Sequence, residues 1–212
     1  MILSGRRSAG AEENIEVLLA NRRRGRPNEA SRLHGVLIVV LFAFPAIVAW
    51  NTGRIPMKPR LSFGAASAAA YRAMMGLERA IHESGLEPKL VHLLKLRASQ
   101  INGCAYCIDM HWKDARAFGE TEQRLYGLDA WREAPYYDER ERAALEWIEA
   151  LTNITDGHVS DEVYERARRQ FGEKELVDLA LVAVAINGWN RLAIAFRSEA
   201  GKYQAPKPAE TR

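Results

Sequence analysis

The sequence predicts an all-α domain over residues 57–203, and three observations carry that prediction. Apolar residues recur at helical spacing from Met57 onward. No alternation of Val, Ile and Thr of strand type lasts more than a few residues, and no Asn-Gly or Asp-Gly pair joins two such runs. Glycine, proline and small polar residues then punctuate the chain where helices should start and stop.

The first predicted helix spans Ala65–Glu83, with Tyr71, Met74, Met75, Leu77 and Ile81 on its apolar side, and Gly85 ends it. Pro88 suits the first turn of the next helix, which runs through Leu90, Leu93, Leu94, Leu96 and Ile101 to the break at Asn102-Gly103. A third spans Cys104–Phe118 and stops at Gly119; Thr121 caps a short fourth. After a loop over Pro135–Asp138, Asp138 and Glu141 form a capping box that opens a helix through Leu145, Trp147, Ile148 and Leu151. Ser160 caps a helix to Phe171. The last helix, Glu173–Arg197, is nearly all apolar from Leu176 to Ile186, so neighbours must bury it, within the domain or between subunits. Residues 204–212 form a loose tail.

Composition narrows the function. With 48% apolar and 27% charged residues the chain is that of an ordinary globular protein, which excludes disorder throughout. Residues 1–56 carry eight arginines against four glutamates, a net +4, so the remaining chain carries −1 of the total +3. The basic balance belongs to the leading segment and gives no warrant for nucleic-acid binding by the helical domain. That segment also holds an uninterrupted apolar run, Val36–Trp50, 15 residues long. A spanning helix wants roughly 20. Three readings stand for 1–56: upstream sequence ahead of a true start at Met57, a membrane anchor formed around residues 36–50, or a long signal peptide. On the first of these the domain is cytoplasmic.

The chemistry concentrates at Cys104, Cys107 and His111, spaced C-x-x-C-x-x-x-H. At about 100° per residue, positions 107 and 111 fall roughly 60° and 20° behind 104, so one helix face carries all three. Unpaired N–H groups and the helix dipole at the first turn favour thiolate there. A thiolate, a second sulfur able to resolve a sulfenic acid, and a proton carrier are the parts that peroxide reduction needs. The rival is zinc held by the same three residues, with His92, His82 or His158 as the fourth ligand. Against it, the sequence has no second C-x-x-C or H-x-x-x-H pair. A non-catalytic helical oligomer that uses the cluster as a redox sensor is the alternative from another class. Tyr136 and Tyr137 are candidates for a subunit contact, and Trp189, Asn190 and Arg191 either line the thiol pocket or a subunit contact or, the reading preferred, terminate the last helix and cap its carbonyls through Arg191.

The run Leu94-Lys95-Leu96-Arg97-Ala98-Ser99-Gln100-Ile101-Asn102-Gly103-Cys104-Ala105-Tyr106-Cys107-Ile108-Asp109-Met110-His111 resembles the core motif of the AhpD-like alkylhydroperoxidases, within the carboxymuconolactone decarboxylase family. Ile186–Arg197 and Met57–Leu61 are similar to the same group. The resemblance implies an AhpD-like helical fold assembled as trimers or hexamers, with no metal or organic cofactor. It implies peroxidase activity on a hydroperoxide, with electrons from a thiol donor, a lipoyl-bearing or thioredoxin-like protein. By the same resemblance Cys107 attacks, Cys104 donates a proton and closes the Cys104–Cys107 disulfide, and His111 belongs to the proton relay. The family motif has a glutamate twelve residues before the first cysteine; here His92 stands in that place, which can pass protons but cannot supply a carboxylate's charge. Lactone decarboxylation, the family's namesake reaction, does not require a cysteine pair.

Overall fold

The computed structural model describes residues 58–206; the apolar run at 36–50 and the rest of the leading segment lie outside them. By contacts the chain divides into units 1–56 and 57–212, and the described helices all belong to the second. Among the described residues there are eight α-helices, one 3-10 turn and no strand. They are α1 (Phe63–Ala66), α2 (Ala68–Glu83), α3 (Pro88–Asn102), α4 (Ala105–Ala117), α5 (Glu122–Tyr126), α6 (Glu139–Thr152), α7 (Asp161–Gln170) and α8 (Glu173–Phe196), with the 3-10 turn at Leu128–Ala130.

The predicted boundaries hold where a side chain or backbone geometry fixes them. Pro88 occupies the first turn of α3, and Gly103, with φ 67°, closes it in the left-handed conformation that glycine adopts without penalty. Thr121 and Ser160 cap α5 and α7, and Asp138 and Glu141 form both arms of a capping box. One expectation is corrected. The helix predicted over Ala65–Glu83 is two helices broken at Ser67, whose backbone is extended (φ −141°) and whose hydroxyl accepts the Ala70 N–H. Ser62 caps α1 in the same way, so two local caps outweigh the alanine-rich propensity of the segment.

The helix covered on nearly every side is α3, which packs on α4, α6 and α8. Leu93, Leu94 and Leu96 meet Leu145 and Ile148 of α6 and Leu179, Val182 and Ile186 of α8 in one core. At about 25 cal/mol per Å² of apolar surface, each such side chain contributes about 2 kcal/mol. By length and hydropathy α8 could also cross a membrane, yet it packs against α2, α3 and α6. It is not buried all round: Val177, Val184 and Ile194 are exposed. The opening residues find their use here, because Arg60 donates from its backbone to Phe196 O (3.0 Å) and from its guanidinium to Ala195 O (2.9 Å), tying off the last carbonyls of α8. Tyr137 is buried, with its hydroxyl on Arg124 O, and Tyr136 is half-buried beside it, so this loop packs inward.

Candidate active site

The turn between α3 and α4 sets the sulfurs. Gly103 reverses the chain, Cys104 becomes the N-cap of α4, and Cys107 lies in its first turn. Cys104 Sγ takes the place of a capping hydroxyl, accepting the Cys107 N–H at 3.4 Å, and the two Sγ atoms are 2.6 Å apart. Both cysteines are free thiols and buried. The Cys107 thiol against it lowers the Cys104 pKa to about 7; burial opposes this, and the Cys107 N–H and Asn190 add to it. Cys107 moves the other way. Donating to Cys104, buried and beside a developing negative charge, it holds its proton far above the ordinary thiol range. As pH rises through about 7 the pair therefore passes from two protons to one proton and one charge.

Asn190 anchors the floor. Its amide donates to Ser99 Oγ (3.1 Å) and accepts from Asn102 Nδ2 (2.8 Å), linking α8 to the end of α3 directly beneath the cysteine turn. Trp189 Nε1 donates to Glu78 Oε1 (2.9 Å). Both residues lie inside α8, which continues to Phe196. They build the site rather than terminate the helix, and Arg191 bonds to Asn187 O within it.

The structure brings His92 and His111 together: their Nδ1 atoms are 3.4 Å apart, and each lies 3.7 Å from Asp114 Oδ2. His92 stacks on Phe118, with centroids 5.1 Å apart. Burial, then the neighbouring His111, lowers the His92 pKa to about 4. Burial likewise depresses His111, against the pull of Asp114, so both rings are neutral at pH 7. Asp114 is buried too, but the neighbouring His111 ring and the Tyr203 hydroxyl outweigh that cost and hold its carboxyl below the usual range. The Tyr203 hydroxyl donates to Asp114 Oδ1 at 2.7 Å. His111 Nε2 is buried without a hydrogen-bond partner among the described residues. Beside the rings, buried Lys95 pairs with Glu78 at 2.5 Å. Cys107, His92, His111, Asp114, Glu78 and Trp189 all line one cavity of about 360 Å³, whereas Cys104 does not reach it. A second hollow of about 590 Å³ shares Met75, Glu78, His92 and Lys95 with the first and reaches the surface beside Arg79.

All four residues singled out in the sequence thus fall within one region. Of the further ligands offered, His82 is exposed on α2 and lines the second hollow, and His158 lies in the loop before α7. Glu87 caps α3 and faces Arg140 at 3.6 Å. Sequence reasoning missed Asp114, although its i,i+3 spacing from His111 was a readable signal. It also missed Glu78, Lys95 and Tyr203, which only the packing of separate elements brings in.

Comparison with known proteins bears on the family and the fold. The family model for the carboxymuconolactone decarboxylase family matches residues 67–150. The chain is 44% identical over 144 residues to the uncharacterized protein YdfG of Bacillus subtilis, covering 68% of this chain and 98% of that protein. A crystal structure of a protein of unknown function from Agrobacterium tumefaciens, provisionally described as the antioxidant defence protein AhpD, is 44% identical with a TM-score of 0.67, over 69% of this chain and 100% of that one. An uncharacterized peroxidase-related protein from Silicibacter shares the fold at 23% identity and a TM-score of 0.59, over 66% of this chain and 75% of its own. With a relative matched along almost its whole length and a solved structure of the same helical fold, this chain belongs to the carboxymuconolactone decarboxylase family, in its AhpD-like group.

Proposed function

We propose that this domain is a thiol peroxidase that reduces hydroperoxides through a Cys104–Cys107 dithiol/disulfide cycle. The observation that carries the reading is the sulfur pair, 2.6 Å apart at the start of α4, with only Cys107 opening on the cavity that holds the two imidazoles. Cys104, with its pKa near 7, is the stored thiolate and Cys107 the reactive sulfur. A proton passes from Cys107 to Cys104. The Cys107 thiolate then attacks the distal peroxide oxygen, the O–O bond breaks, and Cys107 becomes a sulfenic acid while the departing alkoxide takes a proton through His111 and His92. The Cys104 sulfur next attacks the sulfenic sulfur, closing the disulfide and releasing water. The net change is one hydroperoxide and two thiols to one alcohol, one water and one disulfide.

A dithiol donor, lipoyl-bearing or thioredoxin-like, returns the two electrons, which suits a reducing compartment such as the cytoplasm. Asp114 supplies, from α4, the carboxylate charge that His92 lacks. The exposed Val177, Val184 and Ile194 of α8 support a homo-oligomer. The test is consumption of an alkyl hydroperoxide with a dithiol as reductant. Wild type should turn over, Cys107→Ser should be inactive, and Cys104→Ser should stall as a sulfenic acid. Equal rates for wild type and Cys107→Ser would end the enzyme reading in favour of a redox-sensing or purely structural helical oligomer.

A further inference from the structure

Beside the thiols, two ring nitrogens and a carboxylate oxygen converge on one point. His92 Nδ1 and His111 Nδ1 are 3.4 Å apart, and Asp114 Oδ2 is 3.7 Å from each. A triangle with those sides has a circumradius of about 2.1 Å, the length of a zinc–imidazole or zinc–carboxylate bond (about 2.0–2.2 Å). Hydrogen bonding explains the spacing less well, because N–H···O bonds favour about 2.9–3.0 Å. One proton on either Nδ1 can also serve only one of its two neighbours. The scaffold is rigid: His92 and His111 sit on the closely packed α3 and α4, and Asp114 follows His111 at i+3 on the same face. The second carboxylate oxygen is already held by the Tyr203 hydroxyl at 2.7 Å, the outer hydrogen bond that orients a ligating carboxylate. Lys95, the nearby cation, is neutralised in its pair with Glu78.

We propose that His92, His111 and Asp114 form a binding site for a divalent transition-metal ion of the zinc class, with its fourth position open to the cavity that Cys107 lines. The donor set differs from the Cys104–Cys107–His111 combination that the spacing in sequence suggests, since the two sulfurs are engaged with each other at the helix start. An ion there would occupy the Nδ1 lone pairs of both histidines and take them out of proton transfer. On the peroxidase reading, that makes the ion a brake on turnover; the binding site itself does not depend on that reading.

The experiment is zinc binding to the full chain carrying Cys104→Ser and Cys107→Ser, by calorimetry and elemental analysis after gel filtration. Removing both thiols separates the ion from sulfur and from peroxidase activity. One zinc per chain is expected, and cobalt in its place should give the visible d–d bands of a four-coordinate site without a sulfur-to-cobalt charge-transfer band. Asp114→Asn in the same background should abolish stoichiometric binding. Tyr203→Phe, which removes only the hydroxyl at a half-buried position, should weaken it about 10–100-fold. His82→Ala, on the exposed side of α2, should leave it unchanged. No zinc in the double-serine chain, or binding unmoved by both Asp114→Asn and Tyr203→Phe, overturns the proposal.

Discussion

Titrating the cysteine pair probes the resting state that the structure assigns. Cys104, with a pKa of about 7 against the ordinary 9.0, should carry thiolate at a fraction of about 9% at pH 6, about 50% at pH 7 and about 91% at pH 8. An unperturbed thiol would climb about a hundredfold over that interval, from about 0.1% to about 9%, instead of about tenfold. The preference for the thiolate has the Cys107 thiol beside it as its largest cause. The assay is thiolate ultraviolet absorbance against pH, with the Cys104→Ala chain as baseline so that tyrosine absorbance cancels. Wild type should show one midpoint near 7. Cys107→Ala, which deletes the donor, should move it toward 9, while Cys107→Ser, which keeps a donor, should hold it near 7. A wild-type midpoint at 9, or one indifferent to Cys107→Ala, would refute the shared proton.

Glu149 accepts hydrogen bonds from Trp131 Nε1 (2.9 Å) and Arg97 (2.6 Å) and pairs with Arg132 (2.6 Å). Burial opposes its ionisation, but these partners hold its pKa below 4.5. A depressed folded-state pKa contributes stability that is full above the unfolded value and lost as pH falls through the folded one. Glu149→Gln should therefore cost about 3 kcal/mol in urea unfolding at pH 7, and the gap from wild type should close as pH falls below 4.5. At Gly103 a Cβ would meet nothing within 4 Å, so Gly103→Ala should cost only the left-handed backbone penalty, about 1–2 kcal/mol in thermal melts. Val184→Glu, at a residue 59% exposed, should shift light-scattering mass to a smaller species; a monomeric wild type would contradict an interface on that face.

Much of this site is readable from the sequence because it is local. The C-x-x-C-x-x-x-H spacing, the glycine before it and the caps of α3 and α5–α7 act over a turn or so of chain, and each appears where its physics puts it. One local signal is fainter. Ser67 divides α1 from α2 because its hydroxyl competes for the backbone, and alanine-rich surroundings conceal that. Asn190 sits within α8, which runs past it to Phe196, and its place under the sulfurs follows from the packing of α8 on α3. The remaining members are separated by long stretches of chain. Glu78 reaches Trp189, and Tyr203 reaches Asp114 from beyond the last helix; no spacing rule links such pairs, which the order of helix packing alone brings together.

Adding one equivalent of alkyl hydroperoxide to the reduced chain and mapping the cysteines by mass spectrometry tests the redox cycle at its centre. The account predicts loss of two hydrogens and a single disulfide joining Cys104 to Cys107 within the peptide that holds both, reversed by a dithiol. Two thiols left free while hydroperoxide disappears, or no reaction with hydroperoxide at all, would contradict it.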